Sequence, residues 1–100
     1  MNNKFYQFLG ITKKSGNLVE GYNKCEEIIK KDKIFLTIMS VECSLNTVKK
    51  FEKYCSDKNV PVIKGPSKID LGMALGRKEI NILCIKDKNM SDKLIELWNT

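Results

Sequence analysis

A chain of 100 residues, 42% hydrophobic and 30% charged, has the size and make-up of one folded domain and not of a disordered tract. Eighteen Lys and Arg against twelve Asp and Glu leave a formal charge of +6, which suits a polyanionic partner. No apolar run nears the roughly 18 residues that a membrane-spanning helix needs, and the absence of histidine excludes Ser/His and Cys/His catalysis.

Phe5, Phe8 and Leu9 at i, i+3 and i+4 predict an amphipathic helix over 4–13, closed by Ser15-Gly16. Leu18-Val19 reads as a very short strand. Tyr22, Cys25, Ile28 and Ile29 mark the inward face of a second helix, and Lys30-Lys31-Asp32-Lys33 ends it with cations where the helix dipole favours them. Ile34 to Met39, a continuous apolar run rich in β-formers, predicts a strand buried on both faces, as in a parallel sheet. Val48, Phe51, Tyr54 and Cys55 mark a third helix with Ser44 or Asn46 as N-cap. Val60 to Ile63 is a second main strand, which begins at Pro61 or lies at an edge because proline lacks the donor. Ser67 caps a short helix carrying Ile69, Leu71, Ala74 and Leu75, and Gly76 stops it. Ile80 to Ile85 is another buried strand, Asp87 to Asn89 a turn, and Met90, Leu94, Leu97 and Trp98 the inward face of a last helix.

Strand and helix alternate from end to end. The expected fold class is α/β: a three-layer α-β-α sandwich with a mostly parallel, mixed four-stranded sheet, residues 1–100 forming one domain. Cys25, Cys43, Cys55 and Cys84 are widely spaced without a CxxC pair, which argues against a zinc site. Cys25, Cys55 and Cys84 fall on apolar positions and read as buried free thiols, in keeping with a reducing cytoplasm. The N-terminus, MNNKFYQFLG, is polar and broken by charge, unlike a secretory signal.

The motifs of nucleotide enzymes are missing. Gly72 and Gly76 lie within and at the end of a helix, where a dinucleotide loop would need them between strand and helix, and no stretch matches a P-loop. Glu26 and Glu27 sit among lysines on a helix and read as a solvated face. No cofactor and no catalytic group is expected. Of the eighteen cations only Arg77 is arginine; lysine serves phosphates well as a point charge and reads bases poorly.

One stretch stands out. Lys13, Lys14, Ser15, Gly16 and Asn17 lead through a short apolar segment to Gly21, Tyr22, Asn23 and Lys24 at the start of the second helix. Gly21 lets backbone approach a ligand, the free amides of a helix start attract phosphate, and Asn23 offers both donor and acceptor to a base edge. A plain connecting loop with a glycine turn is the competing reading. Tyr22 is also claimed by the inward stripe and stays outside the predicted footprint.

The segments SGNLVEGYNKCEEIIKK, IFLTIMSVECSLNTVKKFEKYCSDKNVPVI and SKIDLGMALGR together resemble the kink-turn RNA-binding ribosomal protein superfamily, named for large-subunit proteins seven-Ae and thirty-e, and within it the bacterial YlxQ-like branch. The likeness runs over about residues 4–98. It implies a three-layer α-β-α fold, no enzymatic activity, and binding to bent or internally looped RNA, which proteins read by shape and at splayed bases. Gly21 and Asn23 match the family's Gly and Asn that approach the bend. The family's next Glu is Lys24 here and its later Lys is Glu27. A second, usually apolar RNA loop is Arg77-Lys78-Glu79, better suited to phosphate than to packing on a base. Lys24 and Glu27 at i, i+3 also suit a surface ion pair. The predicted RNA footprint is therefore Lys13, Lys14, Ser15, Gly16, Asn17, Gly21, Asn23, Lys24, Arg77 and Lys78. The expected partner is ribosomal or other structured RNA, with the ribosome a candidate assembly, no membrane, and a monomer by default. A protein–protein adaptor on the same fold is the alternative.

Overall fold

The computed structural model describes residues 2–100, which form α1 (Asn3–Lys14), β1 (Leu18–Glu20), α2 (Tyr22–Lys31), β2 (Leu36–Met39), α3 (Leu45–Lys58), β3 (Val62–Lys64), α4 (Lys68–Leu75), β4 (Ile82–Ile85) and α5 (Lys88–Trp98). Local chemistry sets most of the helix ends. Asn2 caps α1 through Phe5 N at 3.1 Å, Ser44 caps α3 through Thr47 N at 3.2 Å, and Ser67 caps α4 through Asp70 N at 3.0 Å. Asn59 and Gly76 take the left-handed conformation that ends α3 and α4. Asp87, read from sequence as part of a turn, is instead the N-cap of α5, its carboxylate accepting from Met90 N at 2.8 Å.

The strands form one mixed sheet in the order β1-β4-β2-β3. β4 pairs antiparallel with both β1 and β2, and only β2 and β3 are parallel. The expectation of a mostly parallel sheet is corrected accordingly. The continuous apolar runs reflect helices on both faces of the sheet, which does not fix strand direction. β3 is an edge strand and Pro61 lies just before it, as its missing donor requires.

Alternation along the central strands separates two cores. Leu36, Ile38, Leu83 and Ile85 meet Phe5 and Leu9 of α1, Leu71 and Leu75 of α4, and Leu94 of α5. Met39, Ile82 and Cys84 meet Cys25 and Ile29 of α2 and Phe51 and Cys55 of α3. Thr37 points into this second core, where Cys55 Sγ donates to its hydroxyl at 3.3 Å and Cys84 Sγ lies 3.5 Å away. Cys25, Cys55 and Cys84 are buried free thiols. The neighbouring Cys84 thiol and burial push the Cys25 thiol up, and burial does the same at Cys55, so both stay protonated.

One glycine positions a functional loop. A Cβ at Gly72 would lie 2.7 Å from Glu79 Cα and 2.9 Å from Arg77 O. The absent side chain lets the 76–79 segment lie against α4, which carries Arg77, Lys78 and Glu79 back toward the start of α2. No described helix is long and apolar enough to cross a membrane.

Candidate nucleic-acid interface

β1 and α2 meet at Gly21, whose φ of 95° and ψ of 157° are open to glycine and strained for other residues. Its N–H donates to Ile82 O at 3.0 Å, and its carbonyl accepts from Cys25 N at 3.0 Å to open the helix. Glycine offers no side-chain cap, so the amides of the first turn of α2 are left to solvent or a ligand. They border an open groove of about 860 Å³. Gly21, Tyr22 and Lys24 form one wall, Cys43, Ser44 and Thr47 a second, and Arg77, Glu79 and Asn81 a third.

Three carboxylates also line this groove: Glu20, Glu42 and Glu79. Each is engaged. Glu20 pairs with Lys13 at 3.0 Å and with Arg77 at 2.9 Å. Glu42 accepts from Lys68 N at 2.9 Å, and Glu79 pairs with Lys68 Nζ at 3.5 Å. Burial works to raise the Glu20 carboxyl, but Lys13 and Arg77 outweigh it and hold the group below the usual carboxylate range. Lys13 also donates to Leu75 O at 2.6 Å, tying the ends of α1 and α4 together.

The Glu20 clamp has a measurable pH signature. A carboxyl lowered in the folded state contributes stability that is fully present above the ordinary glutamate value of about 4.3 and is lost as pH falls through its own lower value. Denaturant midpoints of wild type and Glu20→Gln should therefore differ by a constant amount from about pH 7 to 5 and converge below about pH 4. A gap that persists unchanged into acid would assign the loss to packing instead.

The predicted footprint divides between the two ends of β1. Leu18 lies opposite Ile85 and Glu20 opposite Leu83, and three residues at about 3.3 Å each span about 10 Å. Ser15, Gly16 and Asn17 form a turn at the Leu18 end. There Ser15 Oγ donates to Thr12 O at 2.7 Å, Asn17 Nδ2 donates to Ser15 Oγ at 3.0 Å, and Asn17 O accepts from Lys86 N at 2.8 Å. These residues serve the turn, and Lys14 stands exposed just before it. Gly21, Asn23 and Lys24 gather at the Glu20 end, where the ion pairs also bring Lys13 and Arg77, with Lys78 next in the loop. Asn23, Lys24 and Lys78 are exposed. Glu27 pairs with Lys31 at 3.5 Å and not with Lys24, so Lys24, like Lys78, has no carboxylate partner among the described residues.

Sequence reasoning missed Glu20, which sits in β1 and meets its partners only through the fold. It also left Tyr22 outside the footprint because the inward stripe claimed it, yet the ring is 36% exposed and lines the groove. As the first residue of α2 it projects past the end of the layer that buries Cys25 and Ile29.

Residues 3–95 match the ribosomal protein L7Ae/L30e/S12e/Gadd45 family. The RNA-binding protein YlxQ of Bacillus subtilis is 26% identical over 94 residues, 94% of each chain. A Bacillus halodurans protein of unknown function superposes with a TM-score of 0.92 at 26% identity, covering 97% of this chain and 98% of that one. The Giardia lamblia 15.5kD RNA binding protein shares the fold, with a TM-score of 0.78 at 18% identity over 91% and 81% of the two chains. With the match spanning nearly every element from α1 to α5, the chain belongs to the ribosomal protein L7Ae/L30e/S12e/Gadd45 family.

Proposed function

We propose that the chain is a single RNA-binding domain that docks the uncapped start of α2, with Lys24 and the Arg77-Lys78 loop beside it, on structured RNA of the bent or internally looped kind. The observation that carries this is the set of first-turn amides opened by Gly21 onto a groove whose carboxylates are already engaged, Glu20 and Glu79 by cations and Glu42 by the Lys68 amide, leaving Lys24 and Lys78 for phosphates. Family membership and the RNA-binding relative support the same reading and place the chain among binding proteins, not enzymes. Kink-turn-like RNA, association with the ribosome, a monomeric state and a cytoplasmic setting belong to the proposal as well; the buried free thiols suit that compartment.

The test is a titration with a hairpin RNA carrying an asymmetric internal loop, against a fully paired duplex of equal length, at several salt concentrations. Tighter binding to the looped RNA, weakening steadily as salt rises, is the expected result. Absence of binding, or affinity indifferent to salt, would overturn it. The adaptor reading draws on the three carboxylates in the groove. It predicts partners that stay bound in a pull-down after ribonuclease treatment.

A further inference from the structure

We propose that the end of the sheet opposite the groove is a second RNA surface, where Lys33 and Lys86, with Lys14 beside them, receive the backbone phosphates of a separate paired RNA segment, so that the domain joins two pieces of RNA. The joining role rests on the RNA-binding reading of the groove.

Backbone pairing brings these lysines to one rim. Where β4 leaves the sheet, Lys86 N donates to Asn17 O at 2.8 Å on one side, and Phe35 N donates to Ile85 O at 2.9 Å on the other. The turn that follows Lys14, the segment that leads from Lys33 into β2, and Lys86 therefore lie side by side. The groove is at the other end of the same strands, where Gly21 N donates to Ile82 O and Ser40 N to Asn81 O. Four residues of β4 at about 3.3 Å each put about 13 Å of backbone between the two ends.

Most cations of this chain pair with a carboxylate, but Lys14, Lys33 and Lys86 are exposed and have no such partner among the described residues. Two acids nearby are engaged: Asp87 caps α5 through Met90 N at 2.8 Å, and Asp92 holds Lys88 at 2.8 Å. Asp32 is unpaired, and it shares its hollow with the ammonium groups of Lys33, Lys58 and Lys88. Lysines at helix ends often do no more than offset the dipole. That accounts for Lys58, which donates to Ile29 O at 2.5 Å and to Lys30 O at 3.2 Å at the end of α2. It does not account for Lys33 and Lys86, which lie outside the helices. Lys33 is steadied instead by the half-buried Phe35 ring, 5.6 Å from its centroid.

The two ends are separate contacts and not one track. Between them, on the α2 side of β1, Val19, Ile28, Glu27 and Asp32 line the surface, and Lys31 there is paired with Glu27 at 3.5 Å. On the α1 side, Lys13 is committed to Glu20 and Leu75 O. Apolar groups and carboxylates give a phosphate chain no foothold on this route. The far rim also lacks the groove's open helix start, because Asp87 closes that of α5. Lysine point charges alone suit the backbone of paired RNA, whatever its sequence.

The experiment uses the full chain, the looped hairpin carrying one dye and a short fully paired RNA carrying another. Wild type saturated with hairpin should capture the duplex at low salt, with energy transfer between the dyes. K33E/K86E should keep hairpin affinity within about twofold, while duplex capture weakens by about tenfold or more and its salt slope becomes shallower by about two. K33R/K86R should restore capture, and K53E/K93E should leave both RNAs bound as in wild type. Retained hairpin binding also shows that K33E/K86E is folded. If hairpin-loaded wild type captures no duplex, if K33E/K86E captures it as well as wild type, or if K53E/K93E loses as much, the second surface is wrong while the groove reading stands. Loss of hairpin and duplex together in K33E/K86E would overturn the separation of the two sites. If wild type binds the duplex through these lysines but never the hairpin, the groove reading falls and the joining role with it. If wild type binds neither RNA, both readings fall.

Discussion

Phe51→Ala should lower the unfolding free energy by about 3–5 kcal/mol, the usual cost of emptying an aromatic site in a packed core. Phe51 is fully buried in the core shared by α2, α3 and the sheet, and it is one of the two largest side chains so placed. Domains of this size have only about 5–15 kcal/mol in total, so the variant would sit near the limit of folding at physiological temperature. The loss extends beyond the cavity. Tyr22 and Tyr54 both rest edge-on against this ring, and each such contact is worth about 0.5–1.5 kcal/mol beyond area burial. Chemical denaturation at 25 °C reads the stability, and a loss below about 1.5 kcal/mol would mean that α2 and α3 collapse into the space.

Reversing Lys24 and Lys78 together should leave the fold intact and remove most RNA affinity. Both are exposed and lack carboxylate partners among the described residues, and surface changes of this type usually stay within about 0.5 kcal/mol of wild-type stability. Each reversal removes two units of charge from a chain whose formal excess is +6. If each lysine meets one phosphate, the slope of log affinity against log salt should become shallower by about two, and affinity near physiological salt should fall on the order of 100-fold. Lys53→Glu with Lys93→Glu is the matched control, since those lysines lie on the outer faces of α3 and α5 in pairs along their own helices. Equal losses in both double variants would point to non-specific attraction and away from a site at α2.

Much of this architecture was legible in short segments. Helix stripes such as Phe5 with Leu9, the caps Ser44 and Ser67, and the stop at Gly76 depend on neighbours a few residues away. Strand direction depends on pairings between distant segments, and the runs around Ile38 and Leu83 look alike whichever way they align. Asp87 satisfies a turn and a helix start by the same local hydrogen bond, so only the stripe from Met90 to Leu94 separates the two. The site was harder for a related reason. Residues 15–17 and 21–24 are neighbours in the chain, but β1 carries them to different ends of the sheet. Lys13 and Arg77 read as free cations until the fold delivers Glu20 between them.

Trp98 packs against Phe5 at 4.9 Å and lies over Gly65, where a Cβ would approach its ring within 2.4 Å. Gly65 follows β3, at the opposite border of the sheet from β1, three strand spacings or about 15 Å away. The sole indole therefore works as an internal spectroscopic witness to unfolding, placed away from the groove at the start of α2. Unfolding can be followed through it while a labelled RNA reports binding in the same sample.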